Sequence, residues 1–370
     1  MALCSMAKVA VLSNDLYRYV WDGKVQQAGI DPYRYAPDAP QLDRLHDSWL
    51  WPSGSVCGAR GKPAGCTLLN RQNVHTIYPP GAQLYFRVVH LVVPESARDR
   101  GYELVGLLLA AVVTGVVLTW LVRQRRDARL IALWTLCPAV ALEAVQNAHV
   151  DALAVVAGIA AIVVARRRVL WAATLIACAG LVKLYPLVLF PAVIQRRRYV
   201  SAAIVVALFV IAYLPYVVNV GAGVTGFLHG YLHQEGYGSG ARFTLLRLVG
   251  LTGRPASVVA VLAVLAVLAA AAAGRFGSAD RAAVIVFGAL LFVASAGNPW
   301  YDLLLVALVA MTGAWQWLGV IAADYVGYLT SLLGGRSVAL LEMSYGLAFA
   351  FLVVAAYARS RAHRQDRLSI

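Results

Sequence analysis

Charge is scarce in this chain. Asp, Glu, Lys and Arg together make up 14% of its 370 residues while 61% are hydrophobic, against about 25% charged residues in a soluble domain. That deficit excludes an ordinary soluble globular protein and leaves an integral membrane protein. Acid is scarcer than base, with 18 Asp and Glu against 32 Lys and Arg. In a soluble protein the resulting net charge of +14 would point to nucleic acid. Here the arginines stand between apolar runs, where the positive-inside rule accounts for them, so no nucleic-acid partner is expected. Low-complexity linkers are absent and no internal repeat is evident, which leaves one membrane domain over residues 1–370. No glycine-rich nucleotide-binding loop stands out. The opening MALCSMAKVAVL lacks the layout of a cleavable signal peptide and is too short to span a bilayer.

What the chain does have is apolar runs long enough, or nearly so, to cross about 30 Å of hydrocarbon. They cover 102–122, 129–146, 149–165, 199–219, 255–273, 281–297, 299–313, 315–333 and 337–357. A longer run, 169–195, carries Lys183 and two prolines and is basic at both ends. The expectation is an all-α polytopic membrane protein with about 11–12 transmembrane helices.

The arginine clusters 123–129, 166–168, 196–198, 275–281 and 359–367 are placed in the cytoplasm. Counting spans then puts 13–101, 146–151, 220–254, 297–302 and 333–336 on the opposite, extracytoplasmic face. Run 169–195 must cross an even number of times, and reads as a hairpin of two short helices with its apex at Lys183-Leu184-Tyr185-Pro186. The count also needs a crossing before Asp15. The chain is therefore expected to begin inside a truncated first helix, with a helix lying in the interface as the alternative. Asp15, Arg18, Asp22, His149, Asp151, Lys183 and Asp302 all fall on or near the outer face. Ionisable groups beside a bilayer are costly and are functional candidates by default.

The count gives two outer elaborations. The first extracytoplasmic loop, 13–101, includes an amphipathic run, GAQLYFRVVHLVV at 81–93, expected to lie in the interface. The second, 220–254, is glycine-rich and reads as a flexible loop. Cys57 and Cys66 fall in the first loop, which is oxidising territory, and form a candidate disulfide; their C-x8-C spacing lacks the short hook of a zinc site. Cys4, Cys137 and Cys178 lie in apolar runs, where a buried thiol acts as a small hydrophobe.

Each polar motif has two readings. Asp15 and Asp22 are two helical turns apart and share a face; one serves as a general base or substrate anchor, or the two cap helices and pair with Arg18. In QNAHVDA, His149 and Asp151 are either substrate-binding or a plain interfacial residue and a helix cap. Lys183, followed by Tyr185, either snorkels to the headgroups or holds an anionic phosphate, and the broken hairpin favours the second. Trp300 and Tyr301 in GNPWYD either belong to the interfacial aromatic belt or touch a sugar or lipid head. Tyr78 opens YPPGAQ, whose prolines fix the entry to the interfacial helix.

Taken in order, SNDLYRYVWDGKVQQAGIDPYRYAP, HTIYPPGAQLYF, CPAVALEAVQNAHVDAL, LVKLYPLVLFP and GNPWYD resemble the polytopic glycosyltransferases of the C superfold. The resemblance is closest to glycosyltransferase family 87 and the related polyprenol-phosphomannose-dependent mannosyltransferases of actinobacterial envelopes. It implies an inverting transfer of a hexose, mannose in those relatives, from a polyprenyl monophosphate to a cell-envelope glycan or glycolipid at the outer face of the membrane. It maps the acceptor-activating base to Asp15. Lys183 and Arg18 are the candidates for the donor phosphate, with Asp22, Tyr78, His149, Asp151, Tyr185, Trp300 and Tyr301 in support. No cofactor is implied, and a divalent metal stays open. The family's loop reads more like A-H-N-D, where this chain has Ala148-His149-Val150-Asp151. The rival class is a transporter or flippase of lipid-linked sugar; such proteins keep polar groups at mid-membrane and often show repeats, whereas here the charges gather at one face.

Overall fold

A computed structural model describes residues 12–59, 63, 65–295, 297–335 and 337–368. The truncated first helix expected at the start of the chain, with Cys4, falls on residues 1–11, outside the described ones. Every regular element among the described residues is helical. Four helices are long and apolar enough to cross a membrane, Glu95–Arg123, Arg198–Gln234, Gly253–Ala272 and Val338–Ala358, or five if Ala128–Thr135 and Val140–Gln146 count as one interrupted span. The protein is an all-α polytopic membrane protein. Length and apolarity alone account for fewer spans than the eleven or twelve expected. The reason is local: the runs at 149–165, 169–195 and 299–313 form helices of only 15, 14 and 11 residues, short for about 30 Å of hydrocarbon.

Two compact units are distinguished. The first draws on Met1–Val116, Pro138–Leu187 and Arg196–Tyr231. It contains α1 (Asp15–Gln27), α2 (Pro80–Val92), the first part of α3 (Arg98–Arg123), a π-helical turn Val140–Gln146, α4 (Asp151–Ala165), α5 (Val169–Val182) and α6 (Arg198–Val220). Pro79 and Pro80 pre-set the start of α2, with a proline tolerated at the first helical position because its missing N–H has no partner there anyway. The helix buries Ala82, Gln83, Phe86 and Val89 and leaves Leu84, Val88 and Leu91 exposed as a second apolar row. That row suits the interface expected for this run. α1 and α2 touch backbone to backbone: a Cβ on Gly23 would sit 2.6 Å from the Phe86 carbonyl oxygen. Their contact is the centre of a core formed by Leu16, Tyr19, Trp21 and Phe86 with Leu50, Ala148 and Val150. α4 packs along α5, and α5 along α6. Cys57 and Cys66 are joined by a disulfide in this unit.

The hairpin expected over 169–195 is revised. Its first limb is α5, and the chain does break at Lys183. Beyond the break stand only a 3-10 turn, Tyr185–Leu189, and a four-residue helix, Phe190–Val193. Pro186 and Pro191 remove backbone donors on that side, so no second regular limb forms. The segment 220–254 is likewise not one flexible loop: it folds into a 3-10 turn Gly221–Thr225 and helices Leu228–Gln234 and Thr244–Leu248. Cys137 is half-buried and Cys178 exposed, so neither is a buried thiol. Cys178 lies on α5, an element too apolar for hydropathy to tell its inner from its outer side.

The second unit comprises Val117–Cys137, Val188–Gln195 and Leu232–Ile370. Its main helices are α7 (Gly253–Ala272), α8 (Ala279–Ala294), α9 (Asp302–Thr312), α10 (Leu318–Leu332) and α11 (Val338–Leu368). α9 is buried from Asp302 to Met311. Around it α8 packs on both α7 and α9, and α10 packs on α11. Arg126 is held by Asp280 at 2.6 Å. α7 and α11 present exposed rows of Val and Leu, including Val258, Leu262 and Leu265, surface that water would not cover and lipid would.

Candidate active site

The first unit gathers most of the expected polar residues around the start of α1. With successive residues 100° apart on a helix, Asp15, Arg18, Asp22 and Gln26 form one stripe. Asp15 opens the helix and keeps 17% of its side chain exposed. Its Oδ1 accepts from Asn70 Nδ2, and its Oδ2 lies 3.8 Å from His149 Nδ1. The other nitrogen of that imidazole, Nε2, lies 3.4 Å from Glu143 Oε2. His149 and Glu143 are fully buried, and Tyr19 Oη stands 3.4 Å from His149 Nδ1. An imidazole thus bridges a buried carboxylate and one that reaches solvent, an arrangement able to hold or pass a proton.

Local backbone explains how Glu143 and His149 come together. Residues 140–146 form a wide π turn, a form frequent at functional sites. Ala148 then takes a left-handed conformation, φ +45°, at a cost of about 1–3 kcal/mol for a non-glycine residue. This reversal lets the His149 N–H return to the Glu143 carbonyl at 2.9 Å. Asn147 Nδ2 donates to Glu143 Oε2 at 3.0 Å.

A second cluster sits at the break after α5. Lys183 Nζ is 3.2 Å from Asp151 Oδ2, and Tyr185 Oη donates to Asp151 Oδ1 at 3.0 Å. Asp151 is the first residue of α4 and fully buried, and the position before the helix is Val150. It therefore serves Lys183 and Tyr185 rather than capping the helix. Lys183 Nζ lies 5.0 Å from the centre of the Tyr78 ring. Tyr78 packs edge-on against Tyr19 and Phe86, both at 5.2 Å, and Tyr33 Oη donates to its carbonyl at 2.5 Å. Burial pushes the Tyr78 hydroxyl well above its ordinary value, with Asp15 adding to the effect, so it stays protonated. Asp15, Asp151 and Lys183 all act electrostatically on this one phenol.

Arg18 makes its hydrogen bonds within the protein. Its Nε donates to Asp22 Oδ1 at 2.9 Å, and Nη1 and Nη2 both donate to the Val74 carbonyl at 3.1 Å. The guanidinium is buried, its side chain 6% exposed, and all three nitrogens are engaged by protein. Asp22 Oδ2 accepts from Thr76 Oγ1 at 2.7 Å and Gln83 Nε2 at 2.9 Å. Arg18 and Asp22 therefore clamp α1 to the 70–83 segment. The neighbouring Arg71, beside Asn70, is exposed, with its guanidinium 5.8 Å from the Phe227 ring and 5.6 Å from the Tyr231 ring. The 220–231 segment reaches this place because Gly226, at φ +50°, brings its backbone against Thr76; a Cβ there would lie 1.8 Å from the Thr76 oxygen.

Trp300 and Tyr301 belong to the second unit. The Trp300 ring packs on Tyr301 at 5.9 Å and Tyr328 at 5.7 Å. Nearby, Asp324 accepts from the Gly297 N–H at 2.7 Å and from the Tyr345 hydroxyl. Among the described residues, no group of three or more His, Cys, Asp or Glu side chains is arranged to hold a metal ion.

Sequence reasoning passed over Glu143, Asn70, Gln83 and Arg71. Glu143 carried a signal, being the acidic residue inside the apolar run 129–146, where such a group is a functional candidate by default. Asn70 and Arg71 carried none, lying in an irregular loop that only the fold brings to Asp15.

A helical membrane protein with an imidazole between a buried carboxylate and one that reaches solvent, and a lysine at a broken helix, belongs to the class that handles a polar group beside the bilayer. The particular family is given by comparison. Residues 76–296 match the model of glycosyltransferase family 87, well over half of the 370 residues. The chain belongs to that family and is a membrane glycosyltransferase. The match takes in Tyr78, Glu143, His149, Asp151, Lys183 and Tyr185; Asp15, Arg18 and Asp22 precede it. No curated protein and no solved structure matches the chain.

Proposed function

We propose that the protein transfers a hexose, mannose by its resemblance, from a polyprenyl monophosphate to a cell-envelope glycan or glycolipid, with inversion, at the extracytoplasmic face. The observation that carries this reading is a chain of contacts between Asp15 and Lys183 within one unit: Asp15 lies 3.8 Å from His149, whose Nδ1 is 3.4 Å from Tyr19 Oη, and the Tyr19 ring packs at 5.2 Å on Tyr78, 5.0 Å from Lys183 Nζ. Asp15 takes the proton of the acceptor hydroxyl as that oxygen bonds to the anomeric carbon. The bond from that carbon to the phosphate oxygen breaks on the far side, and its electron pair leaves on the phosphate. His149, with Nδ1 3.8 Å from Asp15 Oδ2 and Nε2 facing Glu143, then takes up that proton from Asp15 at Nδ1. Lys183, positioned by Asp151, faces the phosphate as a compact point charge. No covalent glycosyl-enzyme is needed, unlike the retaining two-carboxylate scheme.

An open groove supports the lipid donor. It has a volume of about 780 Å³ between α2, α4, α5 and α6, and is lined by Leu84, Leu153, Leu181, Val182, Ile211 and Pro215. Val182, at its wall, precedes Lys183, so an isoprenoid tail in the groove brings its phosphate towards the ammonium. The arginine clusters support the orientation.

The test is transfer in vitro from synthetic polyprenyl phosphomannose to a panel of acceptors. A positioned general base contributes about 10²–10⁴-fold, so Asp15→Asn is expected to lose at least about a hundredfold in rate while remaining folded. Transfer by Asp15→Asn at the wild-type rate would remove Asp15 from the role.

A further inference from the structure

Opposite the Asp15 stripe, α1 presents Val20 and Lys24, roughly half a turn away at 100° per residue. They line a separate, half-open cavity of about 270 Å³, bounded by the 47–49 turn, the end of α2 and the start of α3. We infer that this cavity is a binding site for one uncharged pyranose ring, distinct from the transfer site.

Its size comes first. The cavity falls just under the roughly 300 Å³ at which pockets for drug-sized ligands begin, which suits a single sugar ring and not an isoprenoid or an oligosaccharide. Its charge comes second. Lys24 and Arg98 are matched by Asp47 and Glu95 on the same wall, with Lys24 Nζ 2.7 Å from Asp47 and 3.9 Å from Glu95. A phosphate or carboxylate would meet as much repulsion as attraction, whereas a sugar hydroxyl both donates and accepts and can use either sign. His90, also on the wall, has its basicity pushed down by burial and adds no fixed charge at neutral pH.

Two further features point to a ligand. Trp49 lines the cavity, supported edge-on by Tyr17 at 6.0 Å and with the Arg98 guanidinium 6.0 Å from its ring. With the guanidinium standing over the indole, the two together offer a sugar ring both an apolar contact and N–H donors for its hydroxyls. Tyr102 lines the same cavity, is 2% exposed, and its buried hydroxyl has no hydrogen-bond partner among the described residues. Leaving a buried hydroxyl unpaired costs about 1–3 kcal/mol, a cost that a sugar hydroxyl would offset. Because the site lies across α1 from Asp15, it needs no particular role for Asp15. It would hold a distal sugar of the acceptor, or a free sugar, away from the reacting atoms.

The experiment is saturation-transfer NMR on the detergent-solubilised full chain with methyl mannoside, methyl glucoside and methyl galactoside, and with inorganic phosphate as the charged probe. The variants are Trp49→Ala, Trp49→Phe and Ser96→Trp, the last placing an indole at an exposed rim position, each checked for folding by circular dichroism. Asp15→Asn is run in parallel. The expected result is saturable binding of at least one hexoside, weakened about tenfold or more by Trp49→Ala and Ser96→Trp, retained in part by Trp49→Phe and unchanged in Asp15→Asn. Wild-type protein that binds no hexoside, binding indifferent to Trp49→Ala and Ser96→Trp, or displacement of the sugar by phosphate would each overturn the inference. Loss of transfer by Asp15→Asn with no hexoside binding in wild type would sink this site and leave the proposed transfer reaction standing.

Discussion

Replacing Asp22 with alanine tests whether α1 is held in place by a buried ion pair or whether Arg18 works on the substrate. The Asp22 carboxylate accepts from Arg18, Thr76 and Gln83 at 2.9, 2.7 and 2.9 Å, and neither side chain of the ion pair is more than 6% exposed. The substitution strands a buried guanidinium and two polar side chains. Breaking a buried pair from one side costs about 3–5 kcal/mol, which at about 2–4 °C per kcal/mol for a domain of 150–250 residues gives a Tm lower by roughly 6–20 °C. Arg18→Met should cost a similar amount. The double variant Arg18→Met/Asp22→Leu should lose well under the sum of the two, since neither charge is then left alone. Thermal unfolding in detergent, followed by circular dichroism and set against donor KM, measures this. Two results refute the reasoning: single losses that add in the double variant to within about 0.5 kcal/mol, or an Arg18→Met protein whose Tm is unchanged while its donor KM rises.

Two further outcomes concern the same unit. Burial opposes the charge on Asp47, yet the Lys24 ammonium and the Leu50 and Trp49 N–H groups hold its carboxyl below the ordinary value. The folded state therefore binds this proton less readily than the unfolded chain, so the stabilisation is present above the usual carboxylate range and is lost as pH falls through the lowered value. A series of unfolding curves below about pH 5 should show a steeper loss in wild type than in Asp47→Asn; equal slopes would contradict it. Gly226→Ala should destabilise the packing of 220–231 on 70–78, because a side chain at this positive φ costs about 1–3 kcal/mol and the methyl would overlap the Thr76 oxygen. Limited proteolysis within 220–231 checks it, and wild-type resistance in the alanine variant would count against that packing.

Much of the fold was legible because membrane helices announce themselves by composition. The run at 199–219 became α6 at 198–220, and 255–273 became α7 at 253–272, since an apolar stretch flanked by arginine or glycine has few alternatives in lipid. The amphipathic run at 81–93 became α2 for the same reason, with Pro80 marking its start. What misled was cumulative hydropathy at 169–195, where two prolines undo a helix that composition favours, and glycine content at 220–254, which does not distinguish a loop from short helices joined by turns. The candidate site was legible in part. Asp15, His149, Asp151 and Lys183 stood out because charge is rare here, and Glu143 stood out equally but was counted as part of a span. Arg18 stood out for the same reason, but the sequence does not say which cations are paired within the protein, as Arg18 is with Asp22.

The sequence by itself determined the class of protein, the bounds of long apolar helices such as α6 and α7, and the short set of ionisable residues worth attention, because each depends on local composition and on the cost of charge beside lipid. Only the tertiary structure decided what each charge does. Arg18 and Asp22 are closed on each other by Val74, Thr76 and Gln83, His149 stands between Asp15 and Glu143, and Lys183 is paired with Asp151. Those partners come from segments far apart along the chain, and a charge's role depends on which groups lie within a few ångströms of it in space.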